Sequence, residues 1–463
     1  MTNDYILALW VVALAYMLAV WFKTPKQVSE RGFFEGKDEN GKEPSLWVLV
    51  ASAAISWIFA KSIVNSAALG KAFGFLGSIG YGVYYLSFIV AGVAFYLIRT
   101  RTSFTSLPSF LEHKYGKVCM RIFLFAVGIR LFNEVWSNTK VVGLFFGGEG
   151  SLHYWLGVAV FTIFTVAYTL RGGLRSSLLT DVVQMIFAGV LLAIVLYAIS
   201  PTLMSEWKAP SIDMNDAALT FCLLAFLQIW SYPFHDPVMT DRAFITEPKT
   251  MLKGFILAGI ISGAFIVLFG LVGIYAYSQD FSGHSVLSVG MALGLPLLLV
   301  FNVIMLTSAG STLDSTFSSI SKLSVLDWGS KKKGDSLQRA KKVIIILAIA
   351  GNIPLLSLYM GEEIGPAIIS ATTISGTMIM GLAPIVLLSF MRTCPLGFHF
   401  AFWPGFILGG LLAFAPSVFP ASLAIGSGKY ALMTGVNLFG LILCTVGFIV
   451  GNLIGNQNTK ETN

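Results

Sequence analysis

Long apolar runs separated by short polar segments make up most of this chain. Runs long enough to cross a bilayer, about 20 residues each, recur thirteen times and predict thirteen membrane helices, numbered 0 to 12. They begin near Tyr5, Leu46, Ile79, Val118, Tyr154, Leu178, Ala217, Met251, Pro296, Lys342, Pro366, Phe400 and Ala431. The pattern therefore predicts an all-α, multi-pass membrane protein.

Two of these helices are interrupted. Helix 1 carries the small-residue run ASAAIS (51–56) and then Lys61 inside the span, and Pro233 and Pro237 break the lower half of helix 6. Transporters commonly bind substrate where helices in corresponding positions of two inverted repeats unwind. Because the interrupted helices lie five helices apart, the sequence predicts one transporter domain over 1–463 with a five-plus-five inverted repeat. The expected repeats are about 46–200 and 217–392, and the additional helices are 5–22, 400–418 and 431–455.

Composition and charge agree with this class. Hydrophobic residues make up 56% of the chain and charged residues 11%, and the mean hydropathy is +0.79. The net charge of +7 reflects topology, since Lys and Arg concentrate in the segments that face the cytoplasm if the N-terminus is outside and the C-terminus inside. The opposite loops hold only Lys71, Lys208 and Lys429. We therefore expect a bacterial-type inner-membrane protein that contacts anionic lipid and binds no nucleic acid.

Other classes find little support. The four cysteines have no metal-ligand or CxxC spacing, and the five histidines form no ligand cluster. We find no nucleophile–base pair and no phosphate-binding loop. The opening residues MTNDYILALW lack the basic region of a secretory signal, so they are expected to stay as the first helix. The sequence predicts neither an enzyme nor a cofactor beyond a coupling ion, and no obligate protein partner is evident.

The polar stretch TSAGSTLDSTFSSISK (307–322) stands out because hydroxyls in a membrane helix need partners. Ser308, Ser311 and Thr312 stand at i, i+3 and i+4 and therefore share one face. Three oxygens on a buried face suit sodium, which takes oxygen ligands. The alternative is a polar seam between closely packed helices.

Three motifs resemble the sodium/solute symporter family, which includes bacterial sodium/proline, sodium/galactose and sodium/sialic acid symporters. They are GGLRSSLLTDVVQ (172–184), DPVMTDRAF (236–244) and the SAGST of helix 8. The resemblance covers roughly residues 1–455. It implies a LeuT-type fold and symport by alternating access.

Carried over to this chain, the resemblance implies a sodium site between helix 1 and helix 8. Matching ASAAIS with the family's helix 1 break assigns two backbone carbonyls to Ser52 and Ile55. Helix 8 would add the carbonyl of Ser308 and the hydroxyls of Ser311 and Thr312. Bound sodium would tie the two helices together and favour the outward-open state, which couples the ion to substrate.

Two carboxylates are candidates for a second ion or proton site. Asp181 resembles the family's helix 5 aspartate, which joins helix 8 hydroxyls in a second sodium site in some relatives; the alternative is a helix-start residue near the interface. Asp314 stands where the family leads us to expect a hydroxyl or a small residue. An ion ligand, a proton acceptor and a structural partner of a cation all remain open for Asp314.

Lys61 offers the clearest indication of substrate. It lies six residues after Ile55, roughly 9 Å along a helix, and a charge there needs a partner or water. It could snorkel to the outer interface, pair with Glu134, or face the vestibule and attract an anion. Other expected cavity residues, each with simple packing as its alternative, are Ser56, Trp57 and Phe59 of helix 1, Trp230, Tyr232 and His235 of helix 6, and Thr373 and Thr377 of helix 10.

Together these features predict a sodium-coupled symporter that imports a small organic solute bearing a carboxylate, such as an amino acid or monocarboxylate. One alternative is proton coupling through Asp181 or Asp314. A membrane solute sensor is an alternative from another class, and the short tail NQNTKETN disfavours it. Helix 3 adds a polar face in which Glu134 and Asn138 are i, i+4, and this face is either a structural network or part of the permeation path.

Overall fold

The computed structural model describes residues 3–461 except 27, 206, 209, 211–212, 329–335 and 361–374, and no strand occurs in that part of the chain. Its helices are α1 Asn3–Lys23, α2 Glu30–Glu35, α3 Leu46–Trp57, α4 Ala60–Val83, α5 Ser87–Arg101, α6 Leu107–Tyr115, α7 Lys117–Phe146, α8 Leu152–Ser205, α9 Asp213–Gln228, α10 Pro237–Arg242, α11 Pro248–Ser278, α12 Ser285–Ala292, α13 Leu295–Lys322, α14 Ser336–Ala350, α15 Ser375–Met378, α16 Leu382–Leu387, α17 Pro395–Phe414 and α18 Ala431–Glu461.

Eight of the described helical stretches are long and apolar enough to cross a membrane. Two of them, Ala60–Arg101 and Leu152–Ser205, contain 42 and 54 residues. At 1.5 Å per residue they would measure roughly 63 and 81 Å, whereas the hydrocarbon core is about 30 Å thick. Each contains a glycine with positive φ, Gly74 at 65° and Gly173 at 51°, where the helix direction changes. Leu152–Ser205 therefore holds two of the predicted helices, and Ala60–Arg101 holds the second part of predicted helix 1 and the whole of predicted helix 2. The all-α multi-pass prediction is confirmed.

Both predicted interruptions are present. In predicted helix 6, α9 ends at Gln228, a 3₁₀ turn contains Pro233, and α10 begins at Pro237. Proline at these positions removes helical hydrogen bonds, as the sequence indicates. In predicted helix 1, α3 and α4 are separated at Ile58 and Phe59, downstream of the ASAAIS run.

The broken helix formed by α3 and α4 lies between two long helices. α13 packs against α8, α7, α14 and α1, and α11 packs along α3, α4 and α5. The short helix α10 contacts both α3 and α13, and α17 packs with α18. This arrangement brings polar side chains of α3, α8, α10 and α13 together inside the bundle, away from its apolar surface.

Candidate functional site

Side chains from distant parts of the chain support the break between α3 and α4. The N–H of Ala60 donates to Asn138 Oδ1 at 2.9 Å instead of to a carbonyl of the preceding turn. The carbonyl of Trp57 accepts a hydrogen bond from the Tyr85 hydroxyl at 2.8 Å. Since a buried backbone group needs a partner, these bonds allow the helix to stop at Ile58 without glycine or proline.

The carbonyls freed by this break face the polar side of α13. The Ser308 hydroxyl donates to the carbonyl of Ile58, and Thr312 Oγ1 donates to the carbonyl of Ser56 at 3.4 Å. The side chains of Ser308, Ser311 and Thr312 are all buried. Ser308 and Thr312 therefore meet carbonyls of the broken helix, whereas the Ser311 hydroxyl donates to Asp181 Oδ1 at 2.5 Å and lies 3.1 Å from the Ser56 hydroxyl. Such a cluster of oxygens suits a hard cation.

The backbone carbonyls that predicted helix 1 leaves free are not the pair that was predicted. The last helical bond of α3 joins the N–H of Ile58 to the carbonyl of Ala54 at 3.0 Å, so the freed carbonyls begin at Ile55. Ser52 lies well inside α3, and its hydroxyl donates to Asp181 Oδ2 at 2.5 Å. The small residues around Ser52 serve close packing within a continuous helix. The carbonyls that border the break are therefore those of Ile55 and Ile58, rather than Ser52 and Ile55.

Asp181 and Arg242 form a fully buried ion pair beside this cluster, with Nη2 and Oδ2 3.2 Å apart. Arg242 ends α10, and Asp181 lies in α8 inside the bundle rather than on its surface. Arg242 Nη2 also donates to the hydroxyls of Ser56 at 3.0 Å and Ser315 at 2.7 Å, and Arg242 Nε donates to Ser52 at 2.9 Å. One guanidinium thus bonds oxygens of α3, α8 and α13.

Asp314 is buried on the adjoining face of α13 and has neutral partners. Its Oδ2 accepts hydrogen bonds from the Tyr168 hydroxyl at 2.8 Å and from Thr180 at 3.2 Å. The neighbouring Ser315 donates to Oδ1 at 3.3 Å. No ion pair involves Asp314 within the described ranges, so a cationic structural partner, one of its three predicted roles, is not found there.

A second charged cluster joins α4, α7 and α10. Lys61 Nζ lies 2.7 Å from Glu134 Oε1, and Arg130 pairs with Glu134 and with Asp236 Oδ2, the latter at 3.0 Å. The Trp57 indole also donates to Asp236 at 3.1 Å. The cluster contains two cations and two carboxylates, so its formal charge balances. Of the three roles predicted for Lys61, this geometry shows the pairing with Glu134.

Aromatic rings cover these charges. The Phe59 ring centroid lies 5.1 Å from Lys61 Nζ and 5.2 Å from the Arg130 guanidinium. The Tyr232 ring lies 5.0 Å from the same guanidinium and meets Trp57 edge to face at 5.7 Å. Cation–π contacts of this kind stabilise a desolvated cation. Phe59, Trp57 and Tyr232, three of the predicted cavity residues, therefore do lie together.

The other predicted cavity residues are more scattered. His235 is buried, and its Nε2 has no hydrogen-bond partner in the described part of the chain. Trp230 instead lines a groove on the outside of the bundle and is 37% exposed. Thr377 accepts a hydrogen bond from Gln228 Nε2 at 3.2 Å, beyond Tyr232. Thr373 lies outside the described residues.

No sequence pattern indicated a site role for Arg130, Asp236, Arg242, Ser177 or Ser315. Arg130 stands one helical turn before Glu134. An i, i+4 pair of opposite charges inside an apolar span could have indicated this ion pair from the sequence. Asp236 is the N-cap of α10 and accepts the N–H of Val238 at 3.0 Å. Ser177 and Ser315, whose hydroxyls lie 2.9 Å apart, carry no separate signal in the sequence.

The two clusters differ in access to solvent. The Lys61 side chain is 17% exposed, and Asn65, one turn further along α4, is exposed. The side chains of Asp181 and Arg242 are 0% exposed. The Lys61 cluster can therefore be reached along α4, whereas the Asp181–Arg242 pair is closed off.

Among known proteins, this chain resembles solved structures but matches no family model and no curated sequence. A Na⁺-coupled sialic acid symporter in a substrate-bound outward-open state matches with a TM-score of 0.69 and 14% identity, over 98% of each chain. MhsT in complex with L-phenylalanine matches with a TM-score of 0.54 and 14% identity, over 92% of this chain and 99% of that one.

Mhp1, a nucleobase-cation-symport-1 family transporter in a closed conformation with bromovinylhydantoin bound, matches with a TM-score of 0.52 and 12% identity. This match covers 93% of the present chain and 95% of Mhp1. At such low identities the shared feature is the fold. The chain therefore has the LeuT-type transporter fold that its sequence predicts.

Proposed function

We propose that this chain is a sodium-coupled secondary active symporter that imports a small organic solute by alternating access. It would belong to the sodium/solute symporter family, lie in a bacterial-type inner membrane with its N-terminus outside, and consist of repeats over about 46–200 and 217–392. The observation that carries the proposal is the cluster between α3 and α13, where freed carbonyls of a broken helix face the hydroxyls of a continuous one.

The proposed sodium ligands are the carbonyls of Ile55 and Ile58 and the oxygens of Ser308, Ser311 and Thr312. The Ser308 hydroxyl donates to the carbonyl of Ile58. A sodium ion would replace such bonds with ion–oxygen contacts and would hold α3 against α13. Because the two helices belong to different parts of the fold, the ion would favour one conformational state over another.

The first experiment is thermal stability of the purified protein in NaCl, KCl or choline chloride, with a library of small solutes. A ligand that binds only the folded state raises the melting temperature by mass action. We expect a sodium-specific increase that one solute class enlarges. Equal melting temperatures in all three salts, with every solute, would contradict sodium coupling.

A matched pair of variants tests the sodium site itself. Thr312→Val removes a proposed ligand, so uptake into proteoliposomes should need more sodium for its half-maximal rate. Thr316→Val makes the same isosteric change one turn further along α13, where the hydroxyl is buried and has no partner in the described residues. Its sodium dependence should stay unchanged. The same sodium dependence in both variants would place the ion elsewhere.

An amino acid fits the Lys61 cluster better than a plain monocarboxylate. The cluster presents both signs of charge, from Lys61 and Arg130 and from Glu134 and Asp236, beneath aromatic rings. A zwitterion could exchange partners with both signs, whereas a monocarboxylate must take Lys61 from Glu134 without replacing it. Comparing an amino acid with its N-acetyl and amide derivatives in the stability assay tests this class. A full response to the N-acetyl derivative would favour a monocarboxylate.

Proton coupling remains the second candidate, and Asp314 favours it over Asp181. Asp181 is neutralised by Arg242, whereas Asp314 is held by the hydroxyls of Tyr168 and Thr180. Asp314 could therefore take up a proton without breaking an ion pair, whereas Asp181 could not. If a pH gradient drives uptake in sodium-free buffer and Asp314→Asn abolishes that uptake, the coupling ion is a proton.

A further inference from the structure

A groove of 560 Å³ runs along the outside of the bundle between α5, α6 and α16. Its walls are apolar and include Ile89, Val93 and Leu97 of α5 and Leu387 and Phe390 at the end of α16. Four of these side chains, all except Leu387, are exposed on the surface of the bundle. The volume falls in the roughly 300–1,000 Å³ range of small-molecule sites.

One end of the groove is basic. Arg101, the last residue of α5, and Lys114, in the last turn of α6, line it together with Thr102. No carboxylate lines the groove, and neither cation forms an ion pair within the described ranges. Arg99 is already engaged, since it donates to the carbonyl of Ala243 at 2.7 Å. Arg101 and Lys114 are thus available to an anion.

The length of the groove matches one leaflet of a bilayer. From Ile89 to Arg101, α5 rises by about 18 Å at 1.5 Å per residue, and half of the hydrocarbon core is about 15 Å. The apolar part therefore lies at the depth of acyl chains. The basic end lies where α5 gives way to the polar residues Thr102 and Ser103, at the level of headgroups.

We propose that this groove binds one anionic phospholipid, with an acyl chain along α5 and the headgroup phosphate between Arg101 and Lys114. The positive-inside pattern places this end of α5 on the cytoplasmic side, where the leaflet carries the anionic lipids that basic pockets between membrane helices attract. The acyl chain would also contact Trp230, which follows the end of α9. The lipid would thereby contact the interrupted predicted helix 6 on its outer side.

Native mass spectrometry of the purified protein tests the site directly. Phosphatidylglycerol and phosphatidylcholine with the same acyl chains are added in equal amounts, and inorganic phosphate is added alone in a third sample. We expect phosphatidylglycerol to be retained at least several-fold more than phosphatidylcholine. Equal retention of the two lipids would overturn the proposal, and so would retention of phosphate alone as strong as that of phosphatidylglycerol.

Three variants separate the headgroup from the acyl chain. Arg101→Gln/Lys114→Gln should abolish the preference for phosphatidylglycerol, and Val93→Trp should lower the retention of both lipids by filling the groove. Lys117→Gln removes an exposed basic residue nearby that does not line the groove, so it should change neither. An unchanged preference in the double variant would overturn the proposal. If that variant does not fold, the comparison of Val93→Trp with Lys117→Gln decides.

Discussion

The buried ion pair of Asp181 and Arg242 allows the sharpest test of this structure. Removing one partner of a buried pair leaves an uncompensated charge, which costs about 3–5 kcal/mol. Asp181→Asn would leave the Arg242 guanidinium among serine hydroxyls, and Arg242→Gln would leave the Asp181 carboxylate with hydroxyl donors alone. Each single variant should therefore lose about 3–5 kcal/mol of the free energy of unfolding.

The double variant carries the decisive information. Asp181→Asn/Arg242→Gln removes both charges at once, so it should be no less stable than the worse single variant. This outcome corresponds to a coupling free energy of at least about 3 kcal/mol, at the upper end for residues in contact. Unfolding by SDS in mixed micelles, followed by tryptophan fluorescence, measures all four members of the cycle.

The exposed pair of Lys37 and Glu35 serves as the control for this cycle. Its atoms lie 2.8 Å apart, but the two side chains are 28% and 44% exposed. Exposed pairs contribute only about 0–1 kcal/mol, so coupling there should stay below about 1 kcal/mol. Additive effects of Asp181→Asn and Arg242→Gln would refute the reasoning, because they would mean that the two charges do not compensate each other.

Three further predictions concern the backbone and the Lys61 cluster. Gly173→Ala should lower the free energy of unfolding by about 1–3 kcal/mol, because φ is 51° and a Cβ atom would lie 2.5 Å from the carbonyl oxygen of Phe33; Gly189→Ala, with open space around it, should cost nothing, and equal losses would contradict the account. Lys61→Met should weaken binding of a carboxylate solute more than binding of its amide in the thermal assay, and equal weakening would make Lys61 purely structural. Glu134→Gln should cost about 3 kcal/mol or more on SDS unfolding, since two cations lose their shared carboxylate, and wild-type stability would show that water compensates them.

The all-α multi-pass class was predictable because it depends on local properties. Apolar runs of about 20 residues predict spans wherever they occur, and the basic loops add an orientation without any knowledge of packing. The break of predicted helix 6 was also predictable from the sequence, because Pro233 and Pro237 remove helical hydrogen bonds by their own covalent structure. The face formed by Ser308, Ser311 and Thr312 followed from helical periodicity alone.

The partners of the buried charges were not predictable in the same way. Arg130 and Glu134 lie one turn apart and could have been paired from the sequence. Asp236 joins them from 106 residues further along the chain than Arg130, and Arg242 reaches Asp181 across 61 residues. Such contacts depend on which helices become neighbours, and a linear pattern does not contain that information.

The break of predicted helix 1 shows most clearly what the sequence determined and what the tertiary structure decided. The sequence determined that this helix is apolar, rich in small residues and long enough to cross the membrane. The interruption falls at Ile58 and Phe59, which are neither glycine nor proline, so no local property marks its position. Tertiary structure decided the position, because Asn138 accepts the N–H of Ala60 from 78 residues away and Ser308 bonds the carbonyl of Ile58 from 250 residues away. A helix can end inside a bundle only where other helices satisfy its free backbone groups, and those helices are placed by the fold as a whole.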